Sequence, residues 1–153
     1  MRWWAARNKP MDYHSQQIRL YVLYHKPEAN RLLPHSTGLE KGLIGLIHTR
    51  AQKRFAERNN LVIAHELLHI FGASDKYDLT SGKALFPNGY AQPNKQPLYP
   101  QNYVEIMGRS IPISQTKHKY GFSLRHALIN PETAQEIGSV SYTHLTLPTT
   151  PYV

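Results

Sequence analysis

The sequence contains no cysteine and no long hydrophobic run. The absence of cysteine excludes disulfides and thiolate metal sites, whereas a metal site of histidine and carboxylate ligands is compatible with either redox environment. No segment approaches the roughly 20 apolar residues of a membrane span. The first nine residues are basic but lack the apolar core of about 7–15 residues that defines a secretory signal. The localisation is therefore left open.

Acidic residues are scarce. The chain has 10 Asp and Glu and 18 Lys and Arg, which gives a formal net charge of +8. This charge favours acidic partners or an anionic surface. The clearest basic pattern places Arg50, Arg54 and Arg58 at helical spacing. Such a stripe is typical of a solvated helix face, so we expect no nucleic-acid partner. The oligomeric state is not indicated.

A length of 153 residues suits one domain with a hydrophobic core. The 41% apolar content argues against disorder, and 11 Pro and 9 Gly predict a loop-rich architecture.

The most informative segment, residues 65–78, reads HELLHIFGASDKYD. Residues four apart lie on one face of a helix, so His65 and His69 can direct both imidazoles to one point. Glu66 lies about 100° around the helix from His65, where it can reach a water on a metal without being a ligand itself. The remaining positions are apolar, which predicts a helix buried everywhere except on its ligand face.

The residues after the helix supply a third ligand. Gly72 follows the last apolar residue and can end the helix in a left-handed conformation. Asp75 can then approach the same metal from the loop, and three protein ligands leave a fourth position for water, as in catalytic zinc sites. Glu105 is a second candidate for the third ligand. We therefore predict a Zn²⁺ site formed by His65, His69 and Asp75.

The pattern HExxHxxGxxD resembles the elongated zinc motif of metzincin-type metallopeptidases, in the variant with aspartate as third ligand that snapalysin-like and immune-inhibitor-A-like enzymes carry. The segment 76–78 resembles the latter group, and the similarity covers residues 60–78. It implies a single metzincin-like domain of the α/β (α+β) class, with a small sheet packed on the active-site helix. It also implies Glu66 as general base and a peptide or protein as substrate.

Two weaker features lie near residues 103–109. Metzincins place a methionine in a tight turn beneath the metal, and Met107-Gly108 resembles that turn, although buried methionine is also common as core filling. Arg109 can stabilise an oxyanion near the metal or form a structural salt bridge.

The remaining pattern predicts the other elements. Strands are expected at residues 18–25 and 42–49, the active helix from Asn59 or Asn60 as N-cap to about Phe71, and a short helix at 131–137 that ends at Gly138. Residues 51–58 fit either a helix or a strand extension. Segments 30–37, 74–101 and 110–120 are expected as loops, and 122–129 as a packed segment. By the resemblance, residues 42–49 border the cleft and pair with an extended substrate.

The sequence of the last residues does not resemble that of the preceding domain. Residues 140–150, VSYTHLTLPTT, resemble the translation of a transposase sequencing adaptor. We therefore assign residues 1–138 to the metallopeptidase domain, expect it to be partial, and exclude 139–153 as a non-native tail.

The function predicted from these features is zinc-dependent peptide hydrolysis, with Glu66 assisting the attack of water. Two alternatives stay open. One is a zinc-stabilised binding module without catalysis, in which Glu105 or Asp78 closes the site as a fourth ligand. The other is a zinc amidase with a non-peptide substrate.

Overall fold

The computed structural model describes residues 17–26 and 32–139, so the predicted tail, apart from Ser139, lies outside the described residues. The fold combines one long helix with small sheets, which confirms the α+β class. In chain order, the elements are β1 (Arg19–His25), β2 (Thr37–Leu39), β3 (Ile44–Arg50), α1 (Ala56–Ile70), β4 (Val104–Glu105), β5 (Ser110–Pro112), β6 (His118–Tyr120), β7 (Ala127–Leu128) and α2 (Pro131–Glu136). Within the described part, neither helix has the length and apolar character needed to cross a membrane.

β3 is the central strand of the three-stranded sheet. It runs parallel to β1 along its whole length and antiparallel to β2 from Ile44 to Leu46. Beyond β2, the Ser36 hydroxyl accepts from the His48 N–H at 2.9 Å. The expectation that residues 42–49 pair with an extended substrate is therefore wrong, because both edges of this strand are already engaged. One face of β3, with Gly45, Ile47 and Thr49, is buried, whereas Leu46 on the other face is exposed.

β2, which the sequence pattern did not reveal, is an edge strand that crosses α1. A Cβ at Gly38 would overlap the carbonyl oxygen of Glu66 and lie 2.9 Å from the Cβ of His69. The backbone of β2 therefore rests directly on the helical turn that carries the motif. The outer edge of β2 pairs with no other strand in the described ranges.

We expect Gly38→Ala to destabilise the protein by about 1–3 kcal/mol, because the added methyl group must displace backbone rather than a flexible side chain. Gly42→Ala is a matched control nearby, since a Cβ there meets nothing within 4 Å. Denaturant unfolding of both variants measures the difference. Equal unfolding midpoints for the two variants would contradict the close contact between β2 and α1.

α1 begins earlier than predicted, at Ala56, after a 3₁₀ turn at Lys53–Phe55. The N-cap is Phe55 rather than Asn59 or Asn60, so that prediction is wrong. Asn59 lies inside the helix, where its side chain accepts from the Arg50 N–H at 3.3 Å and donates to the Arg50 carbonyl at 2.9 Å. A tertiary contact with the end of β3 therefore replaces the local cap.

After α1 the chain runs without a helix or strand until Val104, which confirms the predicted loop-rich region. The loop predicted at 110–120 is wrong, because β5 and β6 form an antiparallel pair there. Residues 122–129 are less packed than predicted, since Phe122, Leu124, Leu128 and Ile129 are exposed. The short helix is confirmed as α2, with the Asn130 side chain accepting from the Thr133 N–H at 2.8 Å.

The core that supports the motif lies between α1 and the segment 104–111. Its buried members are Leu61, Leu68, Ala73, Val104, Ile106, Met107 and Ile111. Met107 is fully buried. One wall of this core is thus the helix that carries the candidate ligands, and the opposite wall is the turn after β4.

Candidate metal centre

His65, His69 and Asp75 bring three ligand atoms together. The Nε2 atoms of the two histidines are 3.1 Å apart. The Asp75 Oδ1 lies 3.3 Å from the first and 3.2 Å from the second. Three donors at tetrahedral corners around zinc, with bonds of about 2.0–2.2 Å, are separated by about 3.3–3.6 Å. The triangle has nearly this size, so the group can hold a metal ion.

The helix end places Asp75 opposite the histidines. As predicted, Gly72 has a left-handed backbone, with φ of +96°, directly after α1. The Ala73 N–H returns to the Leu68 carbonyl at 3.0 Å, a closure typical of glycine-terminated helices. The chain therefore reverses within three residues and delivers Asp75 to the ligand face.

Each imidazole is held by its second nitrogen. The Nδ1 of His65 lies 3.0 Å from the Ile106 carbonyl, and the Nδ1 of His69 lies 2.7 Å from the Ala73 carbonyl. A carbonyl only accepts, so both Nδ1 atoms carry the proton and both Nε2 atoms present a lone pair in the neutral ring. Two lone pairs and a carboxylate oxygen facing one point suit a cation, and the carbonyl partners match the usual support of metal-bound histidine.

The charges of the cluster are mutually stabilising. Burial opposes ionisation of Asp75, but hydrogen bonds and positive charge from the protonated forms of His65 and His69 outweigh it and hold the Asp75 pKa below its ordinary value. Burial likewise opposes the charged form of His69, yet Asp75 and the Ala73 carbonyl raise the His69 pKa above its usual value. Asp75 is therefore ionised at neutral pH and offers a charged oxygen to a cation.

Glu66 is buried and, together with His65, lines a cavity of about 450 Å³. Burial raises the pKa of its carboxyl group, and the nearby imidazoles of His65 and His69 oppose this rise. Glu66 was expected on a solvated arc of the helix. The strand β2 packs against that part of α1 instead, and Glu66 is 5% exposed.

The turn Ile106–Gly108 contacts both segments that carry candidate ligands, which are α1 and the loop with Asp75. The Ile106 carbonyl accepts from His65, and the Met107 carbonyl accepts from the Lys76 N–H at 2.9 Å, one residue after Asp75. Met107 itself points into the core. The structure thus places the predicted methionine turn against the candidate site, where its main chain makes the contacts.

Glu105, the second candidate for the third ligand, belongs to this support rather than to the donor cluster. Its carboxylate is fully buried and accepts from the Met107 and Gly108 N–H groups at 2.7 and 2.8 Å. Its other oxygen accepts from the Thr133 hydroxyl at 2.8 Å. Burial raises the Glu105 pKa, and these hydrogen bonds oppose the rise. The alternative assignment of Glu105 as ligand is therefore wrong.

Asp78 also lies outside the donor cluster. It is exposed and accepts from the Ser81 N–H at 2.7 Å. Hydrogen bonds from the Ser81 hydroxyl and N–H lower its pKa. Across the part of the chain that the structure describes, no fourth histidine or carboxylate joins the three donors. The alternative of a site closed by Glu105 or Asp78 is therefore not supported by the geometry.

A second, partly buried network holds the segment that carries Asp75. Lys76 is only 3% exposed, and its Nζ donates to Glu136 of α2 at 2.6 Å. The same carboxylate accepts from the Ser74 N–H at 3.1 Å and the Ser74 hydroxyl at 2.7 Å. Burial opposes ionisation of Glu136, but these hydrogen bonds keep its pKa below the ordinary value. Asp75 is thus flanked by two residues fixed to α2.

Arg109 lies at the cavity beyond the turn. Its guanidinium stacks over Tyr77 at 5.2 Å and over Tyr120 at 5.5 Å. The salt bridges found among the described residues do not include Arg109, so the predicted structural salt bridge is absent from that part of the chain. The Tyr77 ring centroid is 6.4 Å from that of His65. Burial raises the Tyr77 pKa, and the Asp75 charge adds to the rise.

Comparison with known proteins identified no relative of this chain. No family model, curated protein or solved structure matches the chain. The functional interpretation therefore depends on the residues themselves.

Proposed function

We propose that the protein is a zinc-dependent peptidase, with His65, His69 and Asp75 as metal ligands and Glu66 as the general base. The observation that carries the proposal is the convergence of three donor atoms, at distances that suit tetrahedral zinc, beside a cavity lined by His65 and Glu66.

The chemistry is divided between the metal and the protein. When bound, zinc supplies a Lewis acid that polarises a carbonyl and lowers the pKa of a water molecule. Glu66 accepts the proton of the attacking water and returns it to the leaving amine. His65 and His69 keep their Nδ1 protons on main-chain carbonyls, which holds both Nε2 atoms in the orientation of ligands.

The free edge of β2 favours a peptide over a non-peptide amide as substrate. β2 packs through Gly38 against α1 at Glu66 and His69, and its outer edge has no strand partner among the residues described. An extended peptide that adds to a sheet edge is bound through its main chain, so binding is largely independent of side chains. We therefore assign substrate pairing to β2, in place of the central strand β3.

Metal analysis of the purified protein tests the proposal. We expect one zinc per chain, hydrolysis of unstructured peptides, loss of hydrolysis after zinc removal by a chelator, and recovery when zinc is returned. A panel of small non-peptide amides run in parallel distinguishes a peptidase from an amidase. Protein without stoichiometric metal, or hydrolysis that persists after zinc removal, would overturn the proposal.

A pair of variants assigns the metal to the proposed ligands. Asp75→Asn removes the charged ligand, and we expect the purified variant to lack stoichiometric zinc. Asp78→Asn is the matched control, because this exposed carboxylate lies three residues away and outside the donor cluster. Zinc retained by the first variant, or lost equally by both, would contradict the ligand assignment.

A further inference from the structure

The cavity beside His65 and Glu66 combines an apolar body with positive charge. Its apolar lining includes Leu33, Phe55, Leu61, Val62 and Ile106. Three arginines, Arg50, Arg58 and Arg109, line the same space. Among the described residues, Glu66 is the only acidic one in this lining. A bound group with an aliphatic stem and a negative head matches both properties.

Arg109 is the arginine most closely linked to the candidate centre. It follows the Ile106–Gly108 turn, whose first carbonyl holds His65. It stacks over Tyr77, whose ring lies beside that of His65. Contact with the two rings of Tyr77 and Tyr120 restrains the guanidinium, so less conformational entropy is lost when it binds an anion.

We propose that this cavity binds an acidic side chain of the substrate, glutamate or aspartate, next to the scissile peptide bond, and that Arg109 is the specificity-determining residue. The inference rests on the proposed peptidase function. A carboxylate suits the planar guanidinium because two parallel hydrogen bonds can form between them. Arg58 adds positive charge to the same space.

Peptides that differ only in one residue beside the cleaved bond test the proposal. With glutamate, glutamine and lysine scanned on either side of that bond, we expect kcat/KM for the glutamate peptide to exceed that for glutamine roughly 10- to 100-fold. In Arg109→Gln the ratio should fall close to one. Absence of a glutamate preference in the parent, or its persistence in Arg109→Gln, would overturn the proposal.

Arg54→Gln is the matched control. Arg54 also stacks on an aromatic ring, that of Phe55 at 4.9 Å, but it does not line the cavity. This variant removes the same charge from the protein and should keep the full glutamate preference. An equal loss of preference in both variants would point to overall charge and would contradict the role of Arg109.

Binding measured without turnover separates this inference from the proposed function. Fluorescence anisotropy with labelled glutamate and glutamine peptides on the Glu66→Gln variant reports affinity alone. Tighter binding of the glutamate peptide that depends on Arg109 would support the inference even if the parent cleaves no peptide. Cleavage of peptides without any difference in affinity or kcat/KM would refute the inference and leave the peptidase assignment intact.

Discussion

Replacement of Glu66 with glutamine is expected to reduce peptide hydrolysis by about 10²- to 10⁴-fold while zinc remains bound. The amide has nearly the size of the carboxylate but does not accept the proton of the attacking water. Because Glu66 is not one of the three clustered donors, its substitution leaves the ligand set intact. Steady-state kinetics and zinc content of the same preparation measure both effects.

Glu57→Gln is the control for this variant. Glu57 lies in the first turn of the same helix and is exposed, so its replacement changes the charge of α1 without touching the cavity. We expect the control to keep parental activity. Parental activity in Glu66→Gln would exclude the general-base role, and loss of zinc in Glu66→Gln would show that Glu66 serves the metal site structurally.

The candidate ligands could be predicted from the sequence because their geometry is local. The i, i+4 spacing of His65 and His69 fixes their common face, and Gly72 fixes where the helix ends. Asp75 follows within a few residues, so little chain conformation separates it from the histidines. Local periodicity and one glycine therefore define the whole donor cluster.

The environment of the ligands depends on contacts between distant segments, which periodicity does not encode. β2 is three residues long and carries no alternating pattern, and its position follows from the close approach of Gly38 to α1. Asn59 looked like a helix cap but bonds to the end of β3. In both cases a tertiary contact decides the role of the residue.

At the site itself, the role of Glu105 is also decided by tertiary contacts rather than by the local sequence. In the sequence it is a second candidate for the third ligand. Its burial against the turn and α2 determines instead that its oxygens accept from main-chain and hydroxyl donors. A signal that could have indicated this role is its position immediately before the turn, where a carboxylate readily accepts from the next N–H groups.

Replacement of Glu105 with glutamine is expected to weaken zinc binding by roughly 10- to 100-fold. The carboxylate accepts from the Met107 and Gly108 N–H groups, and the carbonyls of this turn hold His65 and the residue after Asp75. Glutamine keeps one acceptor oxygen and presents an NH₂ group in place of the other. Either the N–H groups of the turn or the Thr133 hydroxyl therefore lose their acceptor. The turn then holds His65 and the segment after Asp75 less firmly.

Metal affinity must be separated from general stability in this variant. An unsatisfied buried hydrogen-bonding group costs about 1–3 kcal/mol, so we also expect a lower melting temperature. Competition with a zinc chelator at a temperature well below unfolding isolates the affinity, and the visible spectrum of the cobalt-substituted protein reports the ligand geometry. The variant could instead be destabilised but bind zinc with parental affinity and give the parental cobalt spectrum. That result would show that Glu105 stabilises the fold without affecting the metal site.

Thr133→Val provides the matched comparison, because it removes a donor to the same carboxylate from the side of α2 and leaves the turn bonds in place. Thr133 is fully buried, so we expect a loss of stability similar to that of Glu105→Gln. Its zinc affinity should stay within a few-fold of the parent, since the main chain that holds His65 keeps its acceptor. A parallel fall in zinc affinity in both variants would mean that α2, rather than the bonds between Glu105 and the turn, controls the geometry of the site.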